Sequence, residues 1–142
     1  MKYITSLFAA TVLCGSLAHA AEAAPVFKLW VTDHLGATSG QQCARPSPLP
    51  DTAANLTEAD TVSFNAQNAQ WKLATSRLEG RQPSQWTDHC FVLVMEGRAP
   101  IRGLLLSSHS ARGSDLPALY LDSRRGVLQL SAKTSGYKFS GR

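Results

Sequence analysis

Apolar residues cluster along this chain in short segments that are typical of β-strands. VFKLWVT (residues 26–32) is rich in β-branched and aromatic side chains and ends before Asp33. CFVLVME (residues 90–96) is an almost continuous apolar run. Short apolar runs bounded by turn residues indicate buried strands. The first segment therefore predicts a strand, and the second predicts a central strand.

The second half of the chain continues this pattern, with turns at regular intervals. IRGLLLS (residues 101–107) follows the turn GRAP and predicts a returning strand. In ALYLDSRRGVLQLSA (residues 118–132), apolar positions flank a turn at residues 122–126 and indicate a β-hairpin. The flanking positions are Leu119, Leu121, Leu128 and Leu130. These segments predict one all-β domain, a single antiparallel sandwich or barrel-like fold of about seven strands.

The remaining segments are predicted from local residue preferences. QWKLATSRLEG (residues 70–80) alternates apolar and polar positions, which favours a strand, although a short helix is the alternative. Thr57 can cap one helical turn in the segment NLTEAD. Residues 39–51 contain three closely spaced prolines and predict an extended surface loop. YKF (residues 137–139) predicts an edge strand.

The first twenty residues have the pattern of a secretory signal peptide. Lys2 provides a positive start, residues 4–17 are uncharged and mostly apolar, and Ala18 and Ala20 form a small-x-small cleavage site. We expect cleavage near Ala20, which makes residues 1–20 a leader and residues 21–142 one exported domain. No other segment is apolar for long enough to insert into a membrane. The predicted location is the periplasm or the outside of the cell.

Removal of the leader leaves two cysteines, Cys43 and Cys90. Two cysteines in an oxidising compartment predict one disulfide. A disulfide between these positions would stabilise the fold by about 4 kcal/mol on the chain-entropy estimate. The alternative is a reactive Cys90, which the compartment disfavours because the thiol would have to stay reduced beside a second cysteine.

Charge divides the exported domain into two unequal parts. Residues 21–96 hold five Lys or Arg and eight Asp or Glu, whereas residues 97–142 hold eight Lys or Arg and two Asp. A basic surface can meet anionic lipid or an acidic protein, and it is also typical of an ordinary solvated face. Nucleic acid is not predicted as a partner, because exposed aromatic residues do not interleave with the basic ones.

Three histidines of the exported domain are candidates for a metal site: His34, His89 and His109. Two of them end a repeated Thr-Asp-His triplet, and imidazole with carboxylate suits zinc or copper. The spacing matches no common ligand motif, and adjacent Asp and His in a strand point to opposite faces. We therefore predict strand-end capping and no metal or cofactor, and keep a small metal-binding periplasmic protein as an alternative.

The segment LSSHSARGSD (residues 106–115) concentrates polar side chains in one predicted loop. A hydrolase with a Ser/His site near His109 is a further alternative, but neighbouring residues of one loop rarely converge as a catalytic triad, and no GxSxG motif exists. Long polar loops on rigid strands are well suited to recognition. The predicted binding residues are Ser107, Ser108, His109, Ser110 and Arg112.

A short, disulfide-containing, exported β-domain with a serine-rich loop resembles the periplasmic immunity proteins of type VI secretion peptidoglycan amidases. Those proteins, like the related periplasmic lysozyme inhibitors, insert a loop into the active site of a hydrolase. The resemblance rests on architecture and on the chemistry of residues 106–115. It implies a non-catalytic inhibitor whose partner is a secreted or periplasmic cell-wall hydrolase, with the loop residues Ser107 to Ser110 at the blocked site.

Overall fold

The computed structural model describes residues 25–78, 80–110 and 115–131, and eight strands form one sheet there. The strands are β1 (Phe27–His34), β2 (Leu56–Thr57), β3 (Thr61–Asn65), β4 (Gln70–Leu73), β5 (His89–Met95), β6 (Ile101–Ser107), β7 (Ala118–Asp122) and β8 (Val127–Ser131). Within these described residues, helical structure is confined to α1 (Gly40–Cys43) and to 3-10 turns at Glu58–Asp60, Thr75–Leu78 and Pro83–Trp86. The all-β prediction is confirmed, with eight strands instead of seven.

The sheet curls until its two edges nearly meet. Its strand order is β2-β1-β5-β6-β7-β8-β4-β3, so β2 and β3 lie at opposite edges. Only the 3-10 turn Glu58–Asp60 separates these two strands along the chain. The edges must therefore approach each other, and the fold is barrel-like. We call the place where the two edges approach the seam.

The sheet is mainly antiparallel, as predicted, but it also contains one parallel pair of strands, which the sequence did not predict. β6 and β7 are parallel, with Leu104 opposite Ala118 and Ser107 opposite Leu121, whereas the other six pairs of strands are antiparallel. After β6, the chain must therefore run back toward the beginning of β6 before β7 starts. Gly103 permits this close return, because a Cβ there would lie 1.8 Å from the carbonyl oxygen of Pro117. The apolar pattern of the strands was compatible with either direction.

The main core fills the inside of the curled sheet. Its fully buried large side chains are Phe27, Leu29, Leu56, Trp71, Phe91, Leu93, Leu105, Leu119 and Leu128. A smaller cluster on the other face contains Cys43, Cys90, Leu104, Leu106, Ala118 and Tyr120. Helix α1 packs on that face against β5 and β6. Because α1 covers the second face of β5 and β6, both faces of these strands are buried. Their segments are therefore apolar almost continuously instead of alternating.

The predicted disulfide is confirmed. Cys43 and Cys90 are bonded, with their Cα atoms 5.0 Å apart, and both residues are buried. The bond attaches α1 to the beginning of β5. The helix itself corrects the prediction that residues 39–51 form only a loop. Its first turn is supported by Gln42, whose Oε1 accepts a hydrogen bond of 3.1 Å from the amide of Ser39.

A buried carboxylate and an arginine join the segments at the seam. Asp60 accepts hydrogen bonds from both terminal nitrogens of Arg81, at 2.9 and 3.3 Å, and from the amide of Thr57 at 3.0 Å. The last bond confirms the predicted helical turn after Thr57. Arg81 also donates to the carbonyl oxygens of Asn55 and Arg77. One guanidinium thus links both sides of the seam.

Other predictions are confirmed in part or lie outside the described residues. The predicted strand at residues 70–80 is real but ends at Leu73, and a 3-10 turn follows. The hairpin of β7 and β8 has the expected register, with Leu121 opposite Leu128. The predicted leader and the predicted edge strand at residues 137–139 lie outside the described residues. In the described part of the chain, no helix has the length and apolar character that crossing a membrane requires.

Candidate functional site

The two ends of the curled sheet differ in chemistry. We call one the serine end: β1, β6 and β7 end there, β5 and β8 begin there, and it includes the predicted loop residues Ser107–Ser110. The opposite end, where β1, β6 and β7 begin and β5 and β8 end, is called the cavity end. The predicted site residues that the structure describes all lie at the serine end.

The two Thr-Asp-His triplets meet at the serine end. His34 at the end of β1 is the register partner of His89 at the beginning of β5. Their rings are 4.9 Å apart between centroids and perpendicular to each other. A register shift between Val31 and His34 precedes the contact. The repeated triplet in the sequence therefore marks two strand ends that are neighbours in space.

Hydrogen bonds to the backbone select different neutral tautomers of the two histidine rings. Nδ1 of His34 accepts a hydrogen bond of 2.9 Å from the amide of Gly36, so a neutral His34 carries its proton on Nε2. Nδ1 of His89 lies 2.9 Å from the carbonyl oxygen of Thr87 and must donate, which leaves Nε2 of His89 with a lone pair. Of the two Nε2 atoms, only that of His89 is ready to bind a metal.

The third predicted histidine, His109, lies on the exposed turn that follows β6. Within residues 25–78, 80–110 and 115–131, no group of three or more His, Cys, Asp and Glu side chains is placed to hold a metal ion. The structure thus brings His34 and His89 together, without assembling a three-ligand set from the described residues.

The serine-rich loop begins as a tight turn. The amide of Ser110 donates to the carbonyl oxygen of Ser107 at 2.9 Å, and the amide of His109 donates to Oγ of Ser107 at 3.3 Å. The amide of Ser108 donates to the carbonyl oxygen of Leu121 at 3.0 Å, which continues the pairing with β7. The first residues of the loop are therefore held by the sheet.

The predicted binding residues differ in solvent exposure. His109 is exposed, whereas Ser107, Ser108 and Ser110 are half-buried. Oγ of Ser108 is buried and has no hydrogen-bond partner among the described residues. Arg112, the fifth predicted residue, lies outside the described residues. Of the described loop residues, His109 is therefore the most accessible to a partner.

Two basic residues that the sequence analysis did not select lie beside this turn. Arg124 and Arg125 belong to the turn between β7 and β8, and both side chains are exposed. Oδ1 of Asp122 accepts hydrogen bonds from both of their amides, at 3.1 and 3.0 Å, and thereby fixes the turn. The parallel pairing of β6 and β7 places this turn next to Ser108.

Burial changes the titration of one side chain near the disulfide. Tyr120 on β7 is buried in the cluster that contains Cys43 and Cys90. Desolvation raises the pKa of Tyr120 above its ordinary value of 10.0, because burial disfavours the phenolate. Tyr120 is therefore a neutral packing residue at physiological pH.

Comparisons of this chain with protein-family models, with curated proteins and with solved structures found no match. Its function must therefore be argued from the serine end itself.

Proposed function

We propose that this protein is a non-catalytic periplasmic binding protein that inhibits a cell-wall-directed hydrolase, with the serine end as its binding face. One observation carries the proposal: the exposed turn with His109 stands directly beside the exposed Arg124 and Arg125, on paired strands. Polar and basic side chains presented on a rigid scaffold are well suited to recognition of a protein surface.

The scaffold under this face supports tight binding because little of it must become ordered. The amide of Ser108 is bonded to β7, and the disulfide of Cys90 attaches the beginning of β5 to α1. A binding surface that is already fixed loses less conformational entropy when its partner docks. We infer that the turn acts as a preformed wedge, with His109 at its tip.

The charge of this face indicates the chemistry of the partner. Arg124 and Arg125 lie beside the turn, and Arg125 forms an ion pair of 3.8 Å with Asp122. Lys72 donates a hydrogen bond to the carbonyl oxygen of Arg125, so three cations accompany this one carboxylate. Charge complementarity speeds the encounter of two proteins and fixes their orientation. The cleft that the turn enters should therefore have an acidic rim.

Two observations weigh against the alternatives. A metal bound through Nε2 of His34 would require a proton on Nδ1, which would remove the hydrogen bond from Gly36. A hydrolase needs a serine hydroxyl bonded to a histidine ring, but the contact between Ser107 and His109 runs to the backbone amide of His109. The binding function remains the proposal that the serine end supports best.

The test is inhibition of candidate hydrolases, namely peptidoglycan amidases and lysozymes, by residues 21–142. The double change His109→Ala with Arg124→Ala should weaken inhibition at least tenfold without changing the melting temperature, because both side chains are exposed. Lys28→Ala is the matched control. It removes one exposed positive charge near the beginning of β1 and should leave inhibition unchanged.

The proposal fails if the double variant inhibits as strongly as the unchanged protein. It also fails if residues 21–142 inhibit neither class of hydrolase, or if the purified protein retains a full equivalent of zinc or copper that His89→Ala removes. The last outcome would establish the metal-binding alternative.

A further inference from the structure

The cavity end contains a cavity of about 340 Å³, within the range of small-molecule sites. Apolar side chains supply most of its wall, and one acidic and one basic residue complete the lining. The apolar residues include Phe64, Trp71, Met95 and Leu130, and the charged ones are Glu96 and Arg98. Both charged side chains are exposed, so they mark the mouth of the cavity.

One residue of this lining, Trp71, has a hydrogen-bond donor without an acceptor among the described residues. Trp71 is 1% exposed, and its Nε1 has no partner among the described residues. Another indole of the same chain shows the usual arrangement, because Nε1 of Trp30 donates to the carbonyl oxygen of Thr52 at 2.9 Å. A buried donor without an acceptor is destabilising, and such groups are rare in folded proteins.

We propose that this cavity binds a small apolar molecule that carries one hydrogen-bond acceptor, a carbonyl or a carboxylate, and that Nε1 of Trp71 donates to that acceptor. The apolar wall takes the hydrocarbon part of the ligand. The charges of Glu96 and Arg98 offset each other at the mouth, so they do not select between a neutral carbonyl and a carboxylate. This site lies at the opposite end from the proposed binding face and does not depend on it.

Phe64 provides a way for the acceptor to reach the buried indole. Its ring packs against Trp71, with 4.9 Å between centroids, and it is only half-buried. Phe64 lies on β3, the last strand of the sheet order, which is hydrogen-bonded to β4. A side chain on an edge strand can change rotamer without disturbing the inner strands. Rotation of Phe64 away from Trp71 would uncover part of the indole.

The experiment uses octanoate and methyl octanoate as probes of residues 21–142 in solution. Binding is followed through the indole N–H signals in nitrogen-15 NMR spectra, with Trp71→Phe to assign the signal of Trp71. Both probes should shift the Trp71 signal downfield, because the N–H gains an acceptor. The signal of Trp30 is the internal control and should stay in place, since its N–H is already bonded.

Two variants make the result decisive. Trp71→Phe keeps an aromatic ring but removes the donor, and it should bind both probes at least tenfold more weakly. Ala66→Trp changes an exposed residue of the cavity lining and should block both probes while the fold, checked by thermal melting, is retained. The proposal is overturned if neither probe shifts the Trp71 signal, if Trp71→Phe binds as tightly as the unchanged chain, or if binding survives Ala66→Trp.

Discussion

The two ends of this barrel-like sheet are held in different ways. At the serine end, several polar groups are bonded within the fold: Nδ1 of His34 and of His89 each contact a backbone group, and Asp122 fixes the neighbouring turn. Oγ of Ser108 is the exception there, with no partner among the described residues. The disulfide of Cys90 lies beside the same strand ends. The fold positions these residues firmly while leaving His109 and Arg124 exposed.

The cavity end has the opposite character. Its wall is largely apolar and encloses empty volume, and Nε1 of Trp71 lacks a partner among the described residues. The described disulfide, between Cys43 and Cys90, lies away from this end. In our two proposals, one end presents side chains to a protein partner and the other receives a small molecule.

The largest expected effect comes from removing the disulfide. The double change Cys43→Ser with Cys90→Ser should lower the free energy of unfolding by about 4 kcal/mol, measured by urea denaturation. Amide exchange should accelerate first at the serine end, for example at Leu35 and Ser108, whose amides bond to backbone oxygens there. If the amide of Glu96 at the cavity end exchanges earlier instead, the contrast between the two ends is wrong.

Loss of the ion pair at the seam should destabilise the two ends of the sheet equally. Arg81→Ala leaves Asp60, whose side chain is 10% exposed, without its cation, whereas the side chain of Arg81 is itself 39% exposed. We therefore expect Arg81→Ala to lower the free energy of unfolding, measured by urea denaturation, by about 1–2 kcal/mol. This is less than the loss for a fully buried pair. Arg77→Ala is the matched control: Arg77 is exposed, and its guanidinium donates to the carbonyl oxygen of Ala59 and not to a carboxylate. Equal losses for the two variants would show that Asp60 does not need Arg81.

Local patterns predicted much of the fold. The apolar run of β5, the hairpin of β7 and β8, the cap at Thr57 and the bond between Cys43 and Cys90 depend on short segments or on pairing the two cysteines that remain. The parallel direction of β7 was not predicted, because apolar periodicity is the same in both directions. Gly103 inside a predicted strand was the available signal, since such a glycine often marks a close backbone approach.

The candidate site was predicted less completely than the fold, for the same reason. The loop residues from Ser107 onward were selected by composition, and their role in binding stays a prediction. Arg124 was missed because its position beside Ser108 depends on the pairing of β6 with β7. The contact of His34 with His89 likewise depends on register between distant strands. Only the repeated triplet in the sequence pointed to it.

Among the described residues, each end also has one non-glycine residue in the left-handed backbone region. Substitution by glycine should change the free energy of unfolding differently at the two positions. Ala69 near the cavity has φ 50°, and Asp88 at the serine end has φ 61°. Ala69→Gly should raise the free energy of unfolding by about 0.5–1 kcal/mol, because glycine relieves the strain. Asp88→Gly should change it by less than about 0.5 kcal/mol, because Asp tolerates this region. Urea denaturation of both variants measures the difference, and a larger gain for Asp88→Gly would contradict it.

The smallest expected effect concerns pH and the cluster beside the disulfide. Burial raises the pKa of Tyr120 above its ordinary value of 10.0, so the unfolded chain loses this proton at a lower pH than the folded chain does. Well below pH 10, at pH 9 or less, both states keep the proton, and the contribution of Tyr120 to stability is complete. Above that pH the unfolded state is favoured progressively, until the folded state also ionises.

Tyr120→Phe should remove this alkaline loss. Unfolding free energies measured from pH 8 to pH 11 should fall more steeply for the unchanged chain than for the variant, with the curves parallel below pH 9. Tyr120 is the only tyrosine among the described residues, so the difference can be assigned to the cluster under α1 and not to the cavity end. Equal slopes above pH 10 would mean that the folded chain accommodates the phenolate of Tyr120. The cluster under α1 would then be less tightly packed than its burial indicates.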